Sequence, residues 1–232
     1  MFNKTVFCAI TLTVTLVACS IPHPTPEARL LVVSGIELHE VNLLEGTTAP
    51  IATISPAQTF TDLARDPTSG AVFAVSSNML YRVNAQTGRV SPVGGTGMDG
   101  LNALAFNARG ELFAGNERGQ FFRIDPVKGV ATPLNETSHA EVVSGDLAFA
   151  PDGTLYATVV ARESDRLVTV DTSTGAVGNV GLTGFEAVYG LSFNGSALYG
   201  MTGAGELLAI DRATGAARLL HHIPLRRVYG ME

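Results

Sequence analysis

The strongest constraint on this chain is a repeated phrase in which an apolar run ends on Asn or Asp and a glycine follows four residues later. The polar position is Asn42, Asn84, Asp125, Asp171 and Asp211, at intervals of 42, 41, 46 and 40 residues. The glycines are Gly46, Gly88, Gly129, Gly175 and Gly215, and Thr87, Thr174 and Thr214 precede three of them. This period matches one four-stranded blade of a β-propeller and is too long for a leucine-rich or ankyrin unit.

Each unit reads as four short strands. In the fourth copy Gly145–Phe149 leads through Pro151-Asp152-Gly153 into Thr154–Thr158. Arg166–Asp171, a turn at Thr174-Gly175, and Ala176–Gly181 follow. Asp-Gly between apolar runs signals a tight hairpin, whose turn needs residues that tolerate positive φ. Asn194-Gly195, Arg109-Gly110 and Ser69-Gly70 hold the same place in other copies. β-branched and aromatic residues fill the runs, as half-buried strands require. No stretch has convincing helical periodicity.

The ends of the repeat region complement each other. The first copy begins at Leu30-Leu31-Val32-Val33, which matches the second strand of a unit. Arg227-Val228-Tyr229-Gly230-Met231-Glu232 matches Ala187–Ser192, a first strand without its followers. Pairing the two completes a fifth blade and removes exposed edges. The expected fold is therefore all-β, a five-bladed propeller closed by 228–232. Its blades span about 30–54 plus 228–232, 60–95, 101–134, 144–181 and 188–220.

The chain has 46% hydrophobic and 16% charged residues, which fits a well-buried ring and excludes a disordered one. The formal charge of −6, with no basic cluster beyond Arg226-Arg227, speaks against nucleic acid as a partner. Lys4 and the apolar run Val6–Val17 read as a secretion signal, since the run is too short to span a bilayer. Leu16-Val17-Ala18-Cys19 resembles the bacterial lipoprotein box. That resemblance implies a signal peptide over 1–18, lipidation of Cys19, and a Pro-rich tether within 19–29. Stable anchoring follows from several acyl chains on one residue. Ser20 after the Cys resembles the outer-membrane default, so the expected address is the bacterial cell envelope. With Cys8 in the leader, the mature chain holds one cysteine and forms no internal disulfide.

The first strand of each propeller blade lines the central channel. Alignment of the copies puts Asp62, Ala103, Asp146, Gly190 and Gly230 at one channel position, preceded by Thr61, Asn102, Gly145, Tyr189 and Tyr229. Asp62, Asn102 and Asp146 are candidate ligands for a polar molecule or a divalent cation such as calcium, which needs several converging oxygens. The alternative is that these acids bond neighbouring backbone. Asp125, Asp171 and Asp211 recur with the blade and read as turn residues that bond backbone two residues on. His221-His222 read as an exposed pair in the link to the closing strand, and Gly94–Gly100 as a glycine-rich link between blades. The link from Asn135 to Ser144, with Glu136, His139 and Glu141, is the most elaborated and is the expected binding loop. Nucleophile elbows, metalloprotease helices and phosphate loops are missing from the sequence.

The run Leu147–Ala157 (Leu-Ala-Phe-Ala-Pro-Asp-Gly-Thr-Leu-Tyr-Ala) resembles the repeats of bacterial extracytoplasmic propellers of the NHL and YVTN type. Leu207–Gly215 is similar to the same group. The resemblance implies the fold over nearly all of 30–232, in a set that includes lactonases, lyases and non-catalytic scaffolds. Lactonases of that set use Glu, Asn and Asp at the channel mouth. Asp62, Asn102 and Asp146 match that pattern in part, without the Glu and without six blades. The leading expectation is a non-catalytic, membrane-anchored binding module for an envelope protein or polymer. The competing one is a metal-dependent hydrolase or lactonase with its site in the channel.

Overall fold

The computed structural model describes residues 28–134 and 142–232. Cys19 and the loop residues Glu136, His139 and Glu141 lie outside the described residues. The described chain forms five four-stranded antiparallel sheets arranged as the blades of a propeller.

The first blade holds β1 (Arg29–Ser34), β2 (Glu37–Asn42) and β3 (Thr48–Thr53). The second holds β4 (Asp62–Arg65), β5 (Val72–Val75), β6 (Met79–Val83) and β7 (Val90–Gly95). The third holds β8 (Leu101–Phe106), β9 (Leu112–Asn116), β10 (Phe121–Ile124) and β11 (Ala131–Pro133). The fourth holds β12 (Val143–Phe149), β13 (Leu155–Val159), β14 (Arg166–Val170) and β15 (Val177–Leu182). The fifth holds β16 (Val188–Asn194), β17 (Ala197–Thr202), β18 (Glu206–Ile210) and β19 (Ala217–His222). The last strand, β20 (Val228–Met231), pairs with β1 and completes the first blade. The Leu31 N–H donates to the Glu232 carbonyl at 2.8 Å, and the Glu232 N–H returns to the Leu31 carbonyl at 2.9 Å. The ring is closed by its own ends.

The repeated polar residue explains the turn between the third and fourth strands. The side-chain Oδ1 of Asn42, Asn84, Asp125, Asp171 and Asp211 accepts N–H groups two and three residues on, at 2.8–3.2 Å. The glycine four residues on then donates back to the carbonyl of the same residue, at 2.7–2.9 Å. Its φ lies between 65° and 81°, the left-handed region that a side chain resists. These residues hold turns, as their periodicity indicates.

Two segments differ from the sequence reading. His221 and His222 close β19 rather than lying in the link, and His221 Nε2 sits 3.0 Å from the Leu44 carbonyl oxygen of the first blade. Gly94 and Gly95 likewise end β7. A Cβ on Gly94 would stand 2.1 Å from the Lys128 carbonyl oxygen, so glycine is there for close approach of the next blade.

Alternation along the inner strands places one apolar layer on each side of a blade. Leu30 and Val32 pack toward Tyr199 and Met201 of the fifth blade. Leu31 and Val33 pack toward Phe60, Leu63 and Val72 of the second. The five apolar clusters correspond to the five blade interfaces. Because both faces of an inner strand are covered, its apolar run is nearly continuous.

Candidate functional site

The inner strands run side by side around the axis, and their inner edges carry N–H groups without a strand partner. Two carboxyls meet that need. Asp62, fully buried, accepts the Leu63 N–H on Oδ1 and the Leu104 N–H on Oδ2, each at 2.6 Å. Asp146, also fully buried, accepts the Leu147 N–H on Oδ1 and the Leu191 N–H on Oδ2, each at 2.6 Å. The Met231 N–H reaches Asp146 as well. Leu63, Leu104, Leu147, Leu191 and Met231 each follow one of the aligned positions, so every blade sends one N–H to the pair.

The remaining aligned positions are small, and two of them are held so by what lies beside them. A Cβ on Gly230 would lie 2.0 Å from Asp62 Oδ1, and one on Gly190 would lie 2.8 Å from Met231 Cβ. Ala103 completes the layer, fully buried.

The two carboxyls also hydrogen-bond each other. Burial pushes the Asp62 carboxyl well above the usual carboxylate range, and the charge of Asp146 pushes it further. Burial also raises Asp146, while the bond from Asp62 and the N–H donors pull it back down. Two like charges at this contact cannot both persist in a dry site. The pair therefore shares a proton between its two carboxyls. The N–H groups supply the positive side of the balance. Among the described residues, no group of three His, Cys, Asp or Glu side chains converges as metal ligands.

Asn102 stands beside this layer and does not join the carboxyl pair. Its Nδ2 donates to the Val143 carbonyl at 2.7 Å, tying the third blade to the fourth, and its Oδ1 is buried without a partner among the described residues. Thr61 does the same between the second and third blades, with Oγ1 donating to the Leu101 carbonyl at 2.8 Å. The half-buried Tyr189 and Tyr229 complete this mouth of the channel. Tyr189 lies against Gly145 and Gly203, where a Cβ on either glycine would come within 3.0 Å of the ring.

Sequence reasoning missed Asp165. It is buried, accepts the Ser144 hydroxyl at 2.5 Å and the Val188 N–H at 2.7 Å on Oδ2, and joins the fourth blade to the fifth. Burial raises its carboxyl above the ordinary range. The signal was the long interval of the fourth copy, which holds the extra turn before β14.

The opposite mouth combines phenylalanines with charged residues. Phe106, Phe149 and Phe193 stand with Arg65 and Glu232 around a depression of about 180 Å³. It opens into a larger one of about 430 Å³ lined by Arg29, Glu40, Arg65, Phe193 and Glu232. The opening has a topological cause: the other four blades join their first two strands by a hairpin here, whereas the first blade has Glu232 beside Arg29. Arg65 stands 3.9 Å from Glu232, whose carboxyl burial raises.

No protein-family model matches the sequence, and no curated protein matches it. Solved structures resemble the fold. A chain in the nidogen–laminin complex superposes with a TM-score of 0.63 at 13% identity, over 90% of this chain and 81% of that one. TolB from Acinetobacter baumannii gives 0.54 at 15% identity, over 85% of this chain and 53% of its own. Hydrazine synthase from Kuenenia stuttgartiensis gives 0.50 at 17% identity, over 70% and 49%. The chain thus spans about half the length of the last two. At these identities the likeness is one of fold: this chain is a five-bladed β-propeller.

Proposed function

We propose that this chain is a lipid-anchored, non-catalytic binding ring of the bacterial cell envelope, held on Cys19 and serving an envelope protein or polymer. The observation that carries the non-catalytic reading is the fate of the channel acids. Asp62 and Asp146 spend their oxygens on N–H donors from all five blades, which ties up the groups a hydrolytic centre would need. The likeness to a chain from the nidogen–laminin complex supports binding in a general way, since that propeller fold occurs there in a protein complex.

The anchored reading also implies an orientation of the ring. Ala28 and Glu232 lie at the same mouth, because β1 and β20 are antiparallel and bonded through Leu31 and Glu232. On this reading the anchored side of the ring is the mouth at which the described residues begin, at Ala28. The mouth with Thr61, Asn102, Tyr189 and Tyr229 then points away from the membrane and is available to a partner.

The test is a cross-linked pull-down of the full chain from its native membrane, with Cys19→Ala as the anchoring control. One stoichiometric envelope protein, lost when Tyr189 and Tyr229 are both replaced by Ala, is the expected result. In parallel, melting is measured with calcium and with a chelator. A calcium-dependent rise abolished by Asp62→Asn with Asp146→Asn would overturn the non-catalytic reading in favour of a metal centre.

A further inference from the structure

The outermost strands differ in how their free edges are protected. In an antiparallel pair, residues between the hydrogen-bonded pairs turn N–H and C=O away from the neighbour. The bond from the Asn42 N–H to the Thr47 carbonyl, and its equivalents in the other blades, fixes the phase. The outward positions are then the first and third residues of each ladder. At the first, the N–H groups of Val90, Ala131 and Ala217 donate to Ser55, Thr96 and Thr183 of the preceding blade, at 2.9–3.0 Å. The third position is Pro50, Pro92, Pro133, Asn179 and Leu219, paired with His39, Tyr81, Phe122, Val168 and Leu208.

Proline has no N–H, so three blades lack an outward donor at the place where a foreign strand would dock. Leu219 retains the donor, but β19 carries Arg218, His221 and His222. Natural sheets blunt their edges with proline, charge and bulges among other devices. A bulge is shared by β3, β7, β15 and β19, but β15 lacks both proline and charge: Val177-Gly178-Asn179-Val180-Gly181-Leu182 is uncharged, and Gly178, Asn179 and Leu182 are exposed. Its neighbours show that the fold accepts proline at this position, so the free edge is a departure from the chain's own pattern.

We infer that the outer edge of β15 is a strand-addition site that takes an extended, uncharged segment of a partner polypeptide. The inference rests on the binding reading and names one of its surfaces. The Asn179 N–H and C=O supply main-chain pairing, the chemistry by which an added strand gains affinity. The register shift between Leu167 and Val168 makes Val180 a bulge, so the ladder is short and centred on Asn179. A charged segment would lose hydration with no counter-charge in β15 to compensate. A second copy of the ring fits less well. Two six-residue edges on convex rims bury far less than the roughly 1,000 Å² that a stable interface needs.

The experiment follows amide exchange of the full chain with a capped six-residue peptide of alternating Thr and Val as probe. The expected result is at least about tenfold slower exchange at Asn179 with the peptide near 1 mM, with no such effect at Leu219. Asn179→Pro copies the arrangement at Pro50, Pro92 and Pro133; it should keep the melting temperature and lose the peptide. Leu182→Lys, which restores an edge charge, gives the same reading if the proline variant fails to fold. Leu219→Pro should bind as the wild type does. Unchanged exchange at Asn179, or equal binding by Asn179→Pro and Leu182→Lys, overturns the proposal. So does a wild-type dimer in sedimentation that Asn179→Pro converts to monomer, because the edge then belongs to a second copy. An envelope protein captured equally by wild type and Asn179→Pro would sink the edge and leave the binding reading standing.

Discussion

Asp62 and Asp146 meet at the axis of the ring as one carboxylic acid and one carboxylate, and between them they receive an N–H from each of the five inner strands. A propeller must do something with the inner edges of its blades, where no further strand can pair. Here two side chains serve five blades, and Gly230 leaves Asp62 room. The arrangement also links neighbours directly. Asp62 joins the second blade to the third, and Asp146 joins the fourth to the fifth and to the closing strand.

Removing either acid should cost far more than removing a turn acid. Asp62→Ala leaves the Leu63 and Leu104 N–H groups buried without an acceptor, at about 1–3 kcal/mol each. Asp171→Ala loses bonds only in an exposed turn, where water replaces them. Urea unfolding of Asp62→Ala, Asp146→Ala and Asp171→Ala should rank the first two well below the third. Equal midpoints would show that the axial bonds contribute nothing special.

The shared proton gives a pH dependence of definite sign. An unfolded aspartate titrates near about 3.9, and both buried carboxyls lie above their ordinary value. Below that pH both states are protonated at these groups. Above it the unfolded chain releases protons that the folded ring retains, so this contribution to stability falls as pH rises toward the folded values. Asp125 and Asp171, held low by hydrogen bonds, act in the opposite sense and at lower pH. The difference between wild type and Asp62→Asn isolates the pair. The advantage of the wild type should shrink as pH rises above the unfolded value of about 3.9 in unfolding measurements; a constant difference would refute the shared proton.

Closure by β20 can be tested without a binding assay. Deleting 228–232 removes the buried side chains of Val228 and Met231, worth about 1.5–3 kcal/mol each, and opens the β1 edge. Loss of cooperative melting is expected. Gly230→Ala makes the same point with one methyl, because its Cβ would collide with Asp62 Oδ1. A truncated chain with wild-type melting temperature would mean that the ring closes some other way.

Two links carry strain that glycine should relieve. Ala187 and Arg227 have φ of 55° and 56°, each two residues before a channel tyrosine. The left-handed conformation costs a side-chain-bearing residue about 1–2 kcal/mol, offset by about 0.5–1 kcal/mol of extra chain entropy lost by glycine. Ala187→Gly should therefore raise stability slightly, by up to about 1 kcal/mol, whereas Ala187→Val should lower it. Thermal melts of the two variants decide the matter.

The repeat phrase by itself determined the ring, the number of blades and the closing strand. Strand alternation, turn glycines and Asx turns are local signals, and each copy repeats them. The alignment also brought Asp62 and Asp146 to one level of the channel. What only the tertiary structure decided was their partners. The Leu104, Leu191 and Met231 N–H groups are distant in sequence, and only ring closure points them inward at two buried carboxyls. That separated Asn102, a bridge to Val143, from the acids that it would join as a candidate ligand. It also found Asp165, whose contacts to Ser144 and Val188 exist only where two blades meet. The same holds at the rim. Pro50, Pro92 and Pro133 look unrelated along the chain, and strand register alone makes them equivalent to Asn179, because register decides which N–H groups face outward.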